Sequence, residues 1–216
     1  KLTVIGITGT DGKTTTVSMT AHILQQARIP VGALSTAFLQ IKDSIEWNET
    51  QKTSPSPFII QSFLRKLKQE GCTHAVLECS SHGLVQGRLH HVQMSVAAIT
   101  NTSMEHLDYH GTLEQYRNDK GILFQMLKGK GAKVINRDDE TYEMYADIPS
   151  KETFVYRTKT QEAVSDKQLA VSEAVETFWL SDISTMPTGS SAVLHCGEET
   201  WELSLSLPGA FNLENA

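Results

Sequence analysis

Residues 8–16, Thr-Gly-Thr-Asp-Gly-Lys-Thr-Thr-Thr, crowd glycines, a lysine and hydroxyls into one short run. Such a run suits phosphate: backbone N–H groups of a tight turn point inward, and a following helix N-terminus adds partial positive charge. The common P-loop pattern is Gly, four residues, then Gly-Lys-Ser/Thr. Gly12-Lys13-Thr14 satisfies its end, but Ile7 stands where the first glycine belongs, and the glycines fall at Gly6 and Gly9. Gly9 and Gly12 would let phosphate oxygens approach the backbone closely. Lys13 would reach the terminal phosphates and Thr14 would offer a hydroxyl to Mg²⁺. Thr10, Asp11 and Thr15 complete the expected nucleotide-binding set. The competing reading is a glycine turn with a surface lysine, which the strand-before, helix-after context disfavours.

Further groups follow downstream. Glu78 ends the run THAVLE and is a candidate Mg²⁺ ligand. The segment CSSHGLVQGRLHH then brings hydroxyls at Ser80 and Ser81, the Gln86 amide and Arg88, which could clamp a phosphate or carboxylate. His106, Asp108 and His110 alternate in the next polar segment, a weak hint of metal that turn chemistry could equally explain. Lys120 is the odd residue. It falls on the stripe Leu113, Tyr116, Leu123, Phe124 and Leu127, where an apolar residue belongs. It is either a snorkelling lysine or one held toward a site, where desolvation would make it reactive.

These groups need a scaffold, and the pattern supplies an α/β one: a P-loop-type, mostly parallel sheet flanked by helices. Core strands are expected at 2–7, 31–35, 73–78, 95–100 and 132–136, with a hairpin at 38–47 turning on Lys42-Asp43. Val17, Ala21 and Leu24 mark one helix. Ser56-Pro57 starts a second, with Ile59, Phe63 and Leu67 on its inner face and Gly71 as its stop. Thr112-x-x-Gln115 resembles a capping box for a third helix, to about Leu127; a short helix is expected from Asp139 to Tyr145. Ligands of open α/β sheets bind beyond the carboxyl ends of the strands, and Glu78 and the phosphate loop both fall there. The last third turns to short β-like runs, read as a small antiparallel patch, and PGAFNLENA reads as the start of a helix.

At 216 residues the chain can bury a substantial core, and 39% apolar with 20% charged residues is ordinary for a globular protein. A formal charge of −6 argues against a nucleic-acid-coating surface. No apolar run is long enough for a membrane span. Cys72, Cys79 and Cys196 lack metal-ligand spacing and suggest reduced thiols in a cytoplasmic protein.

GITGTDGKTTT, LECSSHGLVQGRL and TNTSMEHLDYHGTLEQYRNDKGILF, in that order, resemble the central ATPase domain of the Mur ligases. The similarity is greatest to members that add the third amino acid to UDP-N-acetylmuramoyl-L-alanyl-D-glutamate. It covers most of residues 2–136, and PGAFNLENA resembles the exit from that domain.

The resemblance implies ATP-dependent amide formation through an acyl phosphate in peptidoglycan precursor synthesis, with a UDP-MurNAc-peptide and an amino acid as substrates. It implies two Mg²⁺ ions: one on Thr14 and Glu78, a second associated with His106 and a carbamylated Lys120. Lys13 would neutralise charge on the transferred phosphoryl group. Thr53-Ser54-Pro55, Ser80, Gln86 and Arg88 fall at UDP-sugar-peptide positions, and Asn212 and Asn215 near the adenine. Glu105 and Lys52 depart from the family's usual Asp and Asn. The family's UDP-binding and amino-acid-binding domains are expected to lie outside residues 1–216, leaving this chain inactive alone. A folylpolyglutamate or cyanophycin synthetase, or a non-catalytic nucleotide-binding module, is the alternative.

Overall fold

The structure, a computed structural model, describes residues 1–103, 110–158 and 175–216. The chain opens with β1 (Thr3–Thr8), α1 (Lys13–Gln26) and β2 (Val31–Leu34), then the hairpin β3 (Phe38–Ile41) and β4 (Ser44–Trp47). Next come α2 (Pro57–Gln69), β5 (His74–Glu78), α3 (Ser81–Val85), β6 (Val96–Ile99), α4 (Leu113–Gln125), β7 (Ala132–Asn136) and α5 (Tyr142–Ala146). The last part holds β8 (Glu152–Arg157), β9 (Val175–Met186), β10 (Gly189–Cys196), β11 (Glu199–Leu205) and α6 (Ala210–Asn215).

The strands of the described residues join one sheet, in the order β11-β10-β9-β8-β7-β6-β1-β5-β2-β3-β4. The pairs from β2 through β5, β1, β6, β7 and β8 to β9 are parallel. Both ends are antiparallel, at β2–β3–β4 and β9–β10–β11. The expected class therefore holds, with two refinements. β8 adds a strand to those expected, and through its parallel pairing with β9 the antiparallel patch continues the main sheet. β1 runs one residue beyond Ile7, to Thr8, because the parallel register with β6 carries on to Thr8–Ile99.

Alternation along the central strands builds two cores. On one face Val4, Leu77, Ala97 and Ile99 pack with Ile60, Phe63 and Leu67 of α2, Leu84 of α3, Leu123 and Phe124 of α4 and Tyr145 of α5. On the other, Ile7, Ala33 and Val76 receive Val17 and Ala21 of α1. Burying each large side chain of α2 stabilises the fold by roughly 1.5–3 kcal/mol. The inner face of α2 uses Ile60, whereas Ile59 is 40% exposed. The stripe is thus shifted by one residue at its start from the expected one.

Pro57 opens α2 as expected, but Ser56 makes no side-chain cap bond. Thr112 does cap α4, accepting from the Gln115 N–H at 3.1 Å. The Gln115 side chain turns instead to Asp119, at 2.8 Å, so only half of the capping box forms. Among the described residues no helix is long and apolar enough to cross a membrane.

Candidate active site

β1 delivers its last residue into a turn whose shape is set by the chain beyond β6. The Thr10 N–H donates to the Asn101 carbonyl at 2.9 Å and the Asp11 N–H to Asn101 Oδ1 at 3.0 Å. Thr100 Oγ1 donates to the Asp11 carbonyl at 2.5 Å. Gly9 has φ +145°, and a Cβ there would lie 1.9 Å from Thr100 Oγ1. Gly12 adopts the left-handed conformation, φ +79°, as the residue that starts α1. Both glycines are thus required by backbone conformation, which explains why the spacing departs from the common pattern. Lys13 Nζ folds back to donate to the Thr10 carbonyl at 2.6 Å, placing its charge over the turn.

Glu78, at the carboxyl end of β5, is 2% exposed. Its carboxylate accepts from Thr14 Oγ1 at 3.0 Å, the Thr36 N–H at 2.8 Å and Thr36 Oγ1 at 3.1 Å. The proposed metal pair, Thr14 and Glu78, is therefore in direct contact. Sequence reasoning missed Thr36, whose hydroxyl oxygen also lies 2.7 Å from Thr53 Oγ1 and, with its own proton on Glu78, accepts from it. Its position just past β2, on the same sheet edge as Glu78, was the available signal.

The residues expected to hold the acceptor substrate form a connected wall. Ser54 Oγ donates to the Glu78 carbonyl at 3.3 Å and accepts from the Ser80 N–H at 3.0 Å. Ser80 Oγ caps α3, accepting from the Gly83 N–H. Arg88 donates to the Ser54 carbonyl at 2.6 Å and to Gln86 Oε1 at 2.5 Å. Gln86 therefore braces Arg88.

Lys120 is 1% exposed, so its stem does not snorkel to water. Its Nζ donates to the Gly9 carbonyl at 2.6 Å and sits 4.3 Å from the centroid of the Tyr116 ring. The Tyr116 hydroxyl in turn meets Thr10 Oγ1 at 3.1 Å. A cavity of about 350 Å³ is lined by Gly9, Lys13, Thr53, Ser54, Arg88 and Lys120, with Ser80 and Ser81 beside them. His106, Glu105 and Asp108 lie outside the described residues. His110 is inside them and turns inward: its Nδ1 is 2.6 Å from Asp119 Oδ2 and its Nε2 is 3.1 Å from Ser81 Oγ. No group of three or more metal-ligating His, Cys, Asp or Glu side chains occurs among the described residues.

A second cavity, about 490 Å³, opens on the other side of the turn between Asp11, Gly12, Thr15, Asn101 and the end of α6. Asn215 lines it together with Phe211 and Glu214. Asn212 does not; its side-chain amide donates to the Pro208 carbonyl at 2.8 Å and closes the start of α6.

Sheet order and turn define a P-loop-type α/β domain with the glycine turn, Lys13, Glu78 and Arg88 gathered on one sheet edge. The sequence profile of the Mur ligase middle domain matches residues 7–216, and the chain belongs to the Mur ligase family. It is 34% identical to the UDP-N-acetylmuramoyl-L-alanyl-D-glutamate–2,6-diaminopimelate ligase of Bacillus licheniformis, over all of this chain and 42% of that protein. It is 40% identical to UDP-N-acetylmuramyl-tripeptide synthetase 2 of Oceanobacillus iheyensis, over 67% of this chain and 30% of that one. A solved structure of a UDP-N-acetylmuramoyl-L-alanyl-D-glutamate–2,6-diaminopimelate ligase superposes with a TM-score of 0.81 at 28% identity, covering 99% of this chain and 41% of its own. The chain thus spans less than half the length of these relatives.

Proposed function

We propose that residues 1–216 form the ATP-using middle domain of a three-domain amide ligase of peptidoglycan precursor synthesis, working in the cytoplasm. The carboxylate of a UDP-MurNAc-peptide takes the γ-phosphoryl group of ATP and becomes an acyl phosphate. The amino group of an amino acid then displaces phosphate. One observation carries this reading: Lys13, Lys120 and the acceptor wall of Thr53, Ser54 and Arg88 share one cavity beside the Thr14–Glu78 pair. Two substrates that must exchange a phosphoryl group would be held side by side there. The names of the relatives agree with it.

The ATP phosphates rest against the turn from Gly9 to Thr15, and the second cavity, with Asn215, takes the base. Mg²⁺ suits the hard oxygen donors of Thr14 and Glu78, and would supply charge neutralisation at the transferred group. Lys13 adds a second positive charge there. Lys120, as its carbamate, and His106 would hold a further Mg²⁺. A carbamate keeps one N–H at Nζ, so the bond to the Gly9 carbonyl can persist while a new carboxylate reaches into the cavity.

The test uses the chain joined to its flanking domains. ADP release should require both the UDP-MurNAc-peptide and an amino acid; ATP hydrolysis indifferent to the acceptor would sink the reading. Removing dissolved CO₂ should slow the enzyme and bicarbonate should restore it. Lys120→Ala should lose activity roughly 10²-fold or more, whatever the bicarbonate. Full activity of Lys120→Ala with excess Mg²⁺ and bicarbonate would overturn the carbamate.

A further inference from the structure

Behind the cavity wall lies a line of buried polar groups to which the chemistry above gives no part. Asp119 Oδ2 contacts His110 Nδ1 at 2.6 Å, and His110 Nε2 contacts Ser81 Oγ at 3.1 Å. Asp119 Oδ1 is taken by the Gln115 amide at 2.8 Å. Ser81, His110 and Asp119 are all 7% exposed or less, yet Ser81 lines the cavity that holds Lys13 and Lys120. The imidazole is fixed laterally by the His82 and Tyr116 rings, with centroids 5.2 and 5.0 Å away.

Partner chemistry sets the direction of these bonds. In the tautomer with the Nδ1–H directed at the Asp119 carboxyl oxygen 2.6 Å away, His110 Nε2 is the acceptor that faces Ser81. Ser81 must donate to it, which leaves the lone pairs of its hydroxyl for a donor in the cavity. We infer that Ser81 is a catalytic group that takes a proton from the incoming amine, with His110 and Asp119 as positioning residues behind it. The inference rests on the ligase reading above, because that reaction brings an N–H donor to this cavity.

In this step the amine nitrogen forms a bond to the acyl carbon, and the carbon–oxygen bond to phosphate breaks, its electron pair leaving with phosphate. A substrate ammonium loses two protons on becoming an amide. One passes to Ser81 Oγ as the Ser81 proton moves to His110 Nε2, giving an imidazolium paired with Asp119 and later discharged to solvent. The other departs with phosphate as hydrogenphosphate.

The competing role is a cross-link between α3 and α4 with no part in proton transfer, and two nucleophiles separate the cases. Hydroxylamine is already largely neutral at neutral pH and captures an acyl phosphate as a hydroxamate without prior deprotonation; the amino acid arrives as an ammonium. In the protein with its flanking domains, Ser81→Ala and His110→Gln should slow amide formation roughly 10²-fold or more while hydroxamate capture changes less than about 3-fold. Ser81→Thr, which keeps the hydroxyl, should recover most of the amide rate. Equal losses with both nucleophiles, or no loss with either, would overturn the relay. A wild-type protein that forms neither product removes the ligase reading and the inference with it.

Discussion

At Glu78 three donors from two segments converge on one carboxylate: the Thr14 hydroxyl and the N–H and hydroxyl of Thr36. A glutamine of the same shape can accept at only one of its two terminal atoms, and it removes the negative charge that a cation needs. Glu78→Gln should therefore weaken the apparent Mg²⁺ affinity or the turnover by at least roughly 10–100-fold. A Mg²⁺ titration of ATP hydrolysis reads it, and an unmoved curve would take Glu78 out of the metal site.

Lysines show how far residue type alone can be read. Lys120 stands out in the sequence because it interrupts an apolar stripe, and it proves to be buried beside the turn. Lys133, inside β7, is equally buried and does not stand out. Its Nζ donates to the carbonyls of Tyr145, Ala146 and Ile148, closing the end of α5. Desolvation lowers its pKa, and the neighbouring Asp147 partly opposes that. A short strand offers no stripe for a lysine to break, so the pattern that exposed Lys120 could not expose Lys133.

Among the elements, α2 and the glycine turn make the sharpest claims. Leu67 is fully buried and Ile59 is 40% exposed, although both were expected on the inner face. In urea unfolding, Leu67→Ala should cost about 2–5 kcal/mol, whereas Ile59→Ala should stay within about 0.5 kcal/mol. Comparable losses would mean that α2 turns a different face to the core. At Gly9 the strain is in the backbone. A methyl group must contend with φ +145° and with Thr100 Oγ1 at 1.9 Å, so Gly9→Ala should cost at least about 1–3 kcal/mol in the same assay. Wild-type stability would show that the turn has another low-energy shape.

β8, Glu-Thr-Phe-Val-Tyr-Arg, is hard to read from sequence because its apolar run is only Phe154-Val155-Tyr156 and charged residues stand at both of its ends. Its place is fixed by partners: parallel pairing with β7 on one side and β9 on the other.

Over the whole molecule, burial sorts the cysteines. Cys72 and Cys79 are buried and Cys196 is partly exposed, all as free thiols. Desolvation pushes all three thiols up from their ordinary pKa, so exposure rather than thiolate content sets their order of reaction. In the native protein an aromatic disulfide reagent should modify Cys196 first, and Cys72 and Cys79 only on unfolding. Rapid modification of all three would contradict the packing. By itself the sequence determined the strand–turn–helix order, the glycine turn and most central strands, because hydrophobic period and glycine placement are local properties. Tertiary structure alone decided that Thr36 joins Glu78, that Asn215 rather than Asn212 faces the second cavity, and that His110 turns inward to Ser81 and Asp119. Those pairings join residues distant in sequence, brought together where parallel strands end on one edge of the sheet, and no local pattern encodes which side chains meet there.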